Sequence, residues 1–239
     1  MQSQELSENL HMLEKSYAEL EQFSYIASHD LKSPLRTIAS YAGLLKRRYF
    51  NELDTHAIEF IDYVVKGASH MNDIIQDLLE YSNVNKAQIW TSIDLNEMLF
   101  LVLQNLDKEI TESKAKILFP KLPTINGFKT GMSQLFQNLI ANAIKFKSDL
   151  APVISIQVEN RSAHWQFIIA DNGVGLEERY QEKAFQPFQR INNLERPGTG
   201  MGLAICKKIV NKHKGEIWYK SKAGCGTSFY FTISKDAGM

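Results

Sequence analysis

The first fifty residues carry one apolar stripe whose members are spaced by four and three positions in alternation, apart from two successive steps of four around Leu31. Its members are Leu6, Leu10, Leu13, Tyr17, Leu20, Ser24, Ala27, Leu31, Leu35, Ile38, Ala42, Leu45 and Tyr49. This spacing is typical of the a and d positions of a coiled coil. It predicts a single helix of about 49 residues, far longer than the roughly 8 to 20 residues of an ordinary globular helix. A helix of this length needs a partner to cover its stripe.

A second apolar stripe follows a polar break at residues 51–54. With Thr55 as the predicted capping residue, it runs through Ile58, Ile61, Val65, Ala68, Met71, Ile75 and Leu78. Two such helices form an antiparallel hairpin, which leaves one apolar side in water. We therefore predict an all-α hairpin that dimerises into a four-helix bundle, because the chain lacks the additional helices of an intramolecular bundle.

After a short predicted linker at residues 88–93, the pattern becomes that of an α/β domain at residues 94–236. Helices are predicted at 94–113, 129–146 and 201–213, and strands at 116–119, 154–158, 165–169, 216–221 and 228–233. The irregular, charged stretch at 173–200 is typical of a lid. The predicted organisation is thus a coiled-coil helix at 1–22, a dimerisation domain at 23–87, the linker, and the α/β domain.

The composition argues against a nucleic-acid partner, a membrane span and a cysteine-bound metal. Lys and Arg together number 27, as do Asp and Glu, so there is no overall positive field to hold a nucleic acid. No stretch approaches the roughly 18 apolar residues of a membrane span. Cys206 and Cys225 lie far from any metal-binding spacing, and Cys206 falls in an apolar helical run where it serves as a small hydrophobe. This cysteine usage fits a reducing cytoplasm.

His29 lies on the side of the first helix opposite the stripe, at roughly 160° from its nearest members. The neighbours on its face, Lys32, Ser33 and Arg36, make that face polar and basic. The spacing excludes a core histidine, but taken by itself it favours an ordinary surface histidine over a chemical role. Pro34 predicts a kink close by, which either admits another domain to His29 or is simply tolerated.

Three elements in the second half suggest nucleotide chemistry. Asn138, Asn142 and Lys145 form one polar helical stripe, in which an amide oxygen suits Mg²⁺ and a lysine suits phosphate. Asp171 follows a buried strand, where its carboxylate can accept from an exocyclic amine. Gly198–Leu203 opens a helix, whose N-terminal N–H groups favour phosphate. Each element alone has an ordinary structural interpretation, but together they supply metal, base and phosphate chemistry.

These and neighbouring motifs resemble the signature boxes of sensor histidine kinases. Phe23–Leu35 closely resembles the H box, Asn138–Phe146 the N box, Asp171–Gly175 the first glycine box, Phe185–Phe188 the F box, and Gly198–Leu203 and Gly224–Phe229 the remaining glycine boxes. All occur in the family order. The resemblance implies a homodimeric histidine-phosphotransfer bundle followed by a Bergerat-type ATP-binding fold, an α/β sandwich with a mixed sheet and helices on one face.

The resemblance also implies an activity. The protein would use ATP and Mg²⁺ to phosphorylate its own His29, assisted by Asp30, and pass the phosphoryl group to the receiver domain of a response regulator. Asn142 would be the metal ligand. The implied nucleotide contacts are Asn138, Asn142, Lys145, Phe146, Asp171, Gly173, Gly175, Arg190, Gly198, Thr199, Gly200, Gly202, Leu203 and Thr227.

One position departs from the family pattern. Many relatives carry Thr or Asn four residues after the histidine, where this chain has Ser33; Ser33 is therefore the candidate residue for removing phosphate from the partner regulator. The resemblance further implies that residues 1–22 transmit a signal from a sensor module upstream of this chain, and that the core works in the cytoplasm.

Two other functions remain open at this point. The first is a Bergerat-fold ATPase in which nucleotide drives a conformational cycle and His29 is incidental. The second is a dimeric scaffold that binds nucleotide without transferring phosphate. The H box favours the kinase, because the gyrase-type and chaperone-type ATPases that share the fold have no phosphoacceptor helix.

Overall fold

The computed structural model describes residues 28, 30–84, 89–181, 183–191, 198–222 and 224–236. The chain divides into two compact units, with the boundary between Asn83 and Val84. The predicted coiled coil at 1–22 and the side chain of His29 lie outside the described residues. No helix in the described part of the chain is long and apolar enough to cross a membrane.

The first unit is the predicted helical hairpin. Its first helix, α1, covers residues 30–48 without interruption at Pro34, and its second, α2, is Thr55–Asn83. The prediction that Thr55 caps α2 is wrong. Asp54 is the capping residue, because its Oδ1 accepts a hydrogen bond from the backbone N–H of Ala57 at 2.7 Å.

The apolar stripe of α1 divides into two sets. Leu35 packs with Ala68 and Ile75 of α2 in the core of the hairpin, where each is at most 8% exposed. The alternate members of the stripe face away from this core. They recur every seven residues and are about half exposed in a single chain: Leu31 at 52%, Ile38 at 48% and Leu45 at 52%. We call these three residues the exposed heptad face.

The second unit is built on a five-stranded sheet. Its strands are β2 (Lys116–Leu118), β4 (Val153–Asn160), β5 (His164–Asp171), β6 (Ile217–Lys222) and β7 (Gly226–Ser234). They lie side by side in the order β2-β4-β5-β7-β6. β2 runs parallel to β4 and the other neighbours are antiparallel. The predicted α/β domain with a mixed sheet is therefore confirmed.

Helices pack on this sheet through an aromatic core. The helices are α3 (Leu95–Asn105), α4 (Asp107–Ser113), α5 (Lys129–Lys145) and α6 (Gly202–Lys212). Phe136 of α5 lies edge-on to Phe167 of β5 and Phe231 of β7, with ring centroids 5.9 Å and 5.7 Å away. All three rings are fully buried, so this contact fixes α5 over the centre of the sheet.

Two local predictions for the second unit need correction. The predicted linker contains a strand, β1 (Thr91–Asp94), which pairs antiparallel with an unpredicted strand, β3 (Thr124–Gly127). The single helix predicted at 94–113 is two helices, α3 and α4. They are separated at Leu106, which leaves helical geometry with φ −101° and ψ 10° while its side chain is 4% exposed. The predicted lid contains a short 3₁₀ turn at Glu178–Tyr180.

Candidate functional site

The two predicted amide side chains of α5 converge on the N-terminus of α6. Asn138 Nδ2 donates to the carbonyl oxygen of Gly202 at 3.3 Å. A Cβ atom placed on Gly202 would lie 3.9 Å from Asn138 Cγ and 4.0 Å from Asn142 Nδ2. Both amides therefore face the first turn of α6, whose backbone N–H groups have no partner within the helix.

The glycines before α6 allow close backbone approach. A Cβ atom on Gly198, whose φ is +149°, would collide with Lys145 Nζ. Gly200 has φ +79°, and a Cβ atom there would lie 2.9 Å from the backbone nitrogen of Gln189. Thr199, between them, accepts at its Oγ1 from a backbone N–H two residues later at 3.2 Å. This arrangement places the lysine cation beside an accessible glycine backbone.

Asp171 stands at the end of β5 as a largely buried acceptor. Its Oδ1 accepts from the backbone N–H groups of Gly173 at 2.8 Å and Thr227 at 3.2 Å. Within the described residues, its Oδ2 accepts no hydrogen bond. Burial raises the pKa of the carboxyl above its ordinary value of 3.8, and the two N–H donors oppose that effect. One carboxylate oxygen is therefore available to a ligand that donates a hydrogen bond.

The loop after Asp171 is tied to the end of α5. Val174 N–H donates to the carbonyl oxygen of Phe146 at 3.0 Å. A Cβ atom on Gly173 would lie 2.5 Å from that same oxygen and 2.8 Å from Asp171 Oδ1, and Gly175 has φ +75°. The loop therefore joins the amide-bearing helix to the buried carboxylate.

The structure thus brings most of the predicted nucleotide residues into one cradle. The residues joined by these contacts are Asn138, Asn142, Lys145, Phe146, Asp171, Gly173, Gly198, Gly200, Gly202 and Thr227. Gly175, Thr199 and Leu203 belong to the same segments. Arg190 is exposed and follows Gln189, whose backbone touches Gly200.

The predicted phosphoacceptor region belongs to the other unit. His29 lies outside the described residues, while Asp30 and Ser33 are exposed on α1. Lys32, which was predicted to share the face of His29, reaches α2 and donates to Gln76 Oε1 at 2.5 Å. Asp30 and Ser33 therefore present polar groups to solvent, whereas Lys32 is bound to α2.

Ser221 is a site residue that the sequence analysis missed. It pairs with Thr227 across β6 and β7, and its Oγ lies 3.0 Å from Thr227 Oγ1. The same oxygen accepts from the backbone N–H of Leu176 at 2.7 Å. The sequence signal that could have identified it is the hairpin turn between β6 and β7, because the register of that hairpin places Ser221 opposite Thr227.

The aromatic and sulfur side chains near the site are largely structural. Phe185 is 6% exposed and packs on Tyr219, with ring centroids 6.2 Å apart. Phe188 is 51% exposed and has φ +61°, an uncommon conformation for a bulky residue. Cys206 is fully buried, and burial raises the pKa of its thiol to about 12. Its predicted role as a small hydrophobe is confirmed.

Comparison with known protein families matches both units. Residues 19–86 match the His Kinase A (phospho-acceptor) domain. Residues 127–237 match the family described as histidine kinase-, DNA gyrase B-, and HSP90-like ATPase. The chain therefore combines a phosphoacceptor domain with an ATP-binding domain.

Individual relatives agree with this pairing. The chain is 46% identical to cyanobacterial phytochrome A of Nostoc sp. and 43% identical to the phytochrome-like protein Cph1 of Synechocystis sp., each over 97% of its length. It spans 31% of each of these two relatives. The chain belongs to the sensor histidine kinases and carries their catalytic core.

Solved structures share the fold. Full-length ShkA in complex with AMPPNP has a TM-score of 0.67 at 21% identity, covering 91% of this chain and 47% of that one. The histidine kinase ThkA in complex with the response regulator TrrA has a TM-score of 0.65 at 23% identity, covering 94% of this chain and 65% of that one.

Proposed function

We propose that this chain transfers the γ-phosphoryl group of ATP to its own His29 and then to an aspartate of a response-regulator receiver domain. The observation that carries the proposal is the cradle, in which Asn142, Asp171 and the glycine backbones converge within a chain that also bears an H box. Relatives of the same family and the ThkA–TrrA complex support the second step.

The base end of ATP fits the buried carboxylate. Adenine carries an exocyclic amine, which donates hydrogen bonds, and Asp171 Oδ2 is an acceptor without a hydrogen bond inside the described part of the protein. Gly173 and Gly226 approach Asp171 closely enough that a Cβ atom on either would collide with it or its backbone. These two glycines therefore let the backbone pack tightly around Asp171, which holds the carboxylate in place for the base.

The phosphate end fits the N-terminus of α6. Backbone N–H groups of Gly200, Gly202 and Leu203 would bind the phosphate oxygens, and Lys145 Nζ beside Gly198 would offset their charge. Asn142 would hold Mg²⁺ through its amide oxygen, with Asn138 next to it. When bound, Mg²⁺ neutralises charge on the phosphates during transfer. Arg190 would contact the γ-phosphate.

At the acceptor, a neutral nitrogen of His29 attacks the γ-phosphorus in line. The new N–P bond forms as the bond to the bridging oxygen breaks, and ADP leaves. Asp30 orients the ring or accepts its proton. Ser33, exposed on the same helix, is the residue we propose for the opposite reaction on the regulator.

The chemistry of the bound label tests this proposal. After incubation with radiolabelled ATP and Mg²⁺, the protein is expected to carry phosphate that is stable in base and lost in acid, as a phosphorylated histidine is. A conformational ATPase would instead release inorganic phosphate and leave the protein unlabelled. A nucleotide-binding scaffold would produce neither product, so the three functions give different results in one assay.

We propose further that the core is a homodimer, works in the cytoplasm where ATP is supplied, and receives its signal through residues 1–22 from an upstream sensor. We also propose that the dimerisation and phosphotransfer domain covers residues 23–87 and that the ATP-binding domain covers residues 94–236. The exposed heptad face supports the dimer, because three large apolar side chains at seven-residue spacing would be covered by a second copy in a four-helix bundle.

Replacing Ile38 with glutamate is expected to dissociate this dimer. Each dimer would bury two copies of Ile38, and about 1.5 kcal/mol lost from each raises the dissociation constant roughly 100-fold or more. Sedimentation velocity over a dilution series measures the change. Ser40→Glu adds the same charge at an exposed position on another side of α1 and should leave the dimer intact. A dimeric Ile38→Glu protein would contradict the proposed interface.

A further inference from the structure

Ser221 makes more hydrogen bonds than a strand serine usually does. It lies half-buried in β6, directly opposite Thr227 of β7. Its Oγ lies 2.7 Å from the carbonyl oxygen of Gly226, 2.7 Å from the backbone nitrogen of Leu176 and 3.0 Å from Thr227 Oγ1. One hydroxyl therefore contacts the glycine loop after Asp171 and the strand that supplies an N–H donor to Asp171.

The chemistry of the groups fixes the direction of each bond. A serine hydroxyl has one hydrogen to donate and two lone pairs that accept. The carbonyl of Gly226 only accepts, so Ser221 gives its hydrogen there. The N–H of Leu176 only donates, so it occupies one lone pair of Ser221. The remaining lone pair must accept from Thr227, whose hydroxyl is then the donor in the 3.0 Å contact.

This assignment gives Thr227 a definite polarity. Having donated its only hydrogen to Ser221, the Thr227 hydroxyl has only lone pairs left for any other neighbour. Thr227 is 5% exposed, and its backbone N–H donates to Asp171 Oδ1 at 3.2 Å. The Thr227 hydroxyl and Asp171 Oδ2 are then both acceptors in the same part of the cradle. Two acceptors favour a base that carries an amine there and disfavour one that carries a carbonyl.

We infer that Ser221 is a positioning residue that sets the base specificity of the cradle, by holding the Thr227 hydroxyl as an acceptor and anchoring the glycine loop at Leu176. The inference rests on the proposed binding of ATP, and it concerns how the site distinguishes adenine from guanine. Guanine carries a carbonyl where adenine carries its amine. Without Ser221 the Thr227 hydroxyl is free to turn its hydrogen toward that carbonyl.

Binding of ADP and GDP to the full chain in the presence of Mg²⁺ tests the inference by isothermal titration calorimetry. In Ser221→Ala we expect ADP to bind about 10-fold more weakly, because the Thr227 hydroxyl is no longer held as an acceptor toward the adenine amine. We expect GDP to bind unchanged or more tightly, so that the preference for ADP falls about 10-fold or more. Ser221→Thr keeps the hydroxyl and should restore the preference. Ser234→Ala, which changes a half-buried serine at the far end of the adjoining strand β7, is the matched control and should behave as wild type.

A parallel loss of affinity for both nucleotides in Ser221→Ala would overturn the inference, since that is the result of a purely structural role. Thr227→Val provides a second test should Ser221→Ala fold poorly. It removes the hydroxyl and keeps the side-chain shape, so this single substitution should lower the preference for ADP over GDP. Adding Ser221→Ala to it should lower that preference little further. An independent, additive effect of the two changes would also overturn the inference. If wild-type protein binds neither nucleotide, the proposed function itself fails.

Discussion

Replacing His29 with glutamine is expected to reduce phosphate incorporation to background while leaving the affinity for ATP unchanged. Glutamine has no nucleophilic ring nitrogen, so no N–P bond can form at this position. The nucleotide cradle is built by residues of the second unit, from Asn138 to Thr227, and the substitution changes none of them. Labelling with radiolabelled ATP measures the first effect, and calorimetric titration with ADP measures the second.

His70→Gln is the matched control for this experiment. His70 is an exposed histidine of α2 in the same unit, so the same exchange there should leave labelling intact. Persistent label in His29→Gln would show that another residue is the acceptor. Normal ATP hydrolysis in both variants, with no label in wild-type protein, would instead favour the conformational ATPase.

Replacing Asp171 with asparagine is expected to weaken nucleotide binding and, at the same time, to stabilise the nucleotide-free protein. The new amide can keep an oxygen toward Gly173 and Thr227, which then turns its NH₂ group toward the adenine amine. A hydrogen bond to a buried charged acceptor contributes about 1.5–3 kcal/mol, so affinity should fall roughly 10- to 150-fold. Titration with ADP measures this loss, and phosphate incorporation should fall with it.

The gain in stability follows from the direction of the pKa shift. Burial raises the pKa of Asp171 in the folded protein above the ordinary 3.8. Between these two values the folded state binds more protons than the unfolded state, so wild-type stability declines as pH rises through this window. The penalty is complete once the pH lies above the raised pKa of the folded protein, and it is absent well below pH 3.8. The melting temperature of Asp171→Asn should therefore exceed that of wild type at pH 7, with the difference vanishing in acid.

Asp94→Asn provides a control of opposite sign. Hydrogen bonds from Asn96 lower the pKa of Asp94, which caps α3, so removing this charge should not raise the melting temperature at pH 7. If Asp171→Asn lowers the melting temperature instead, the two N–H donors stabilise the carboxylate by more than its burial costs, which would contradict this prediction. If it binds ADP normally, Asp171 is not the adenine acceptor.

The helices that carry the site were predictable because their apolar periodicity is long. α5 and α6 lie within a residue or two of their predicted limits. The helix predicted at 94–113 is divided into α3 and α4 at Leu106. This division was not predictable, since no glycine or proline marks it. It depends on burial of Leu106 at 4% exposure, which only the tertiary structure determines. β1 and β3 have four residues each, too few for a periodic signal.

The site was predictable where a motif carries its own chemistry and not where a residue acts through pairing. Asn142 and Asp171 could be found from their spacing and from the glycines beside them. Ser221 has no such motif, and its role depends on the strand register that sets it opposite Thr227. In the first unit, the stripe predicted the hairpin, yet it could not show which members pack within one chain and which stay exposed on it.

Because of the exposed heptad face, the stability of the first unit should depend on protein concentration, whereas the stability of the second unit should not. In the second unit, side chains such as Phe136, Phe167 and Phe231 are fully buried within one chain, so the fraction folded does not depend on how much protein is present. In the first unit, Leu31, Ile38 and Leu45 are about half exposed in a single chain, and in the proposed dimer a second copy would cover them. In that dimer, part of the stability of the first unit would be the free energy of association, which grows with concentration. Dilution alone would then lower the free energy of unfolding of the phosphoacceptor hairpin and leave that of the nucleotide domain unchanged.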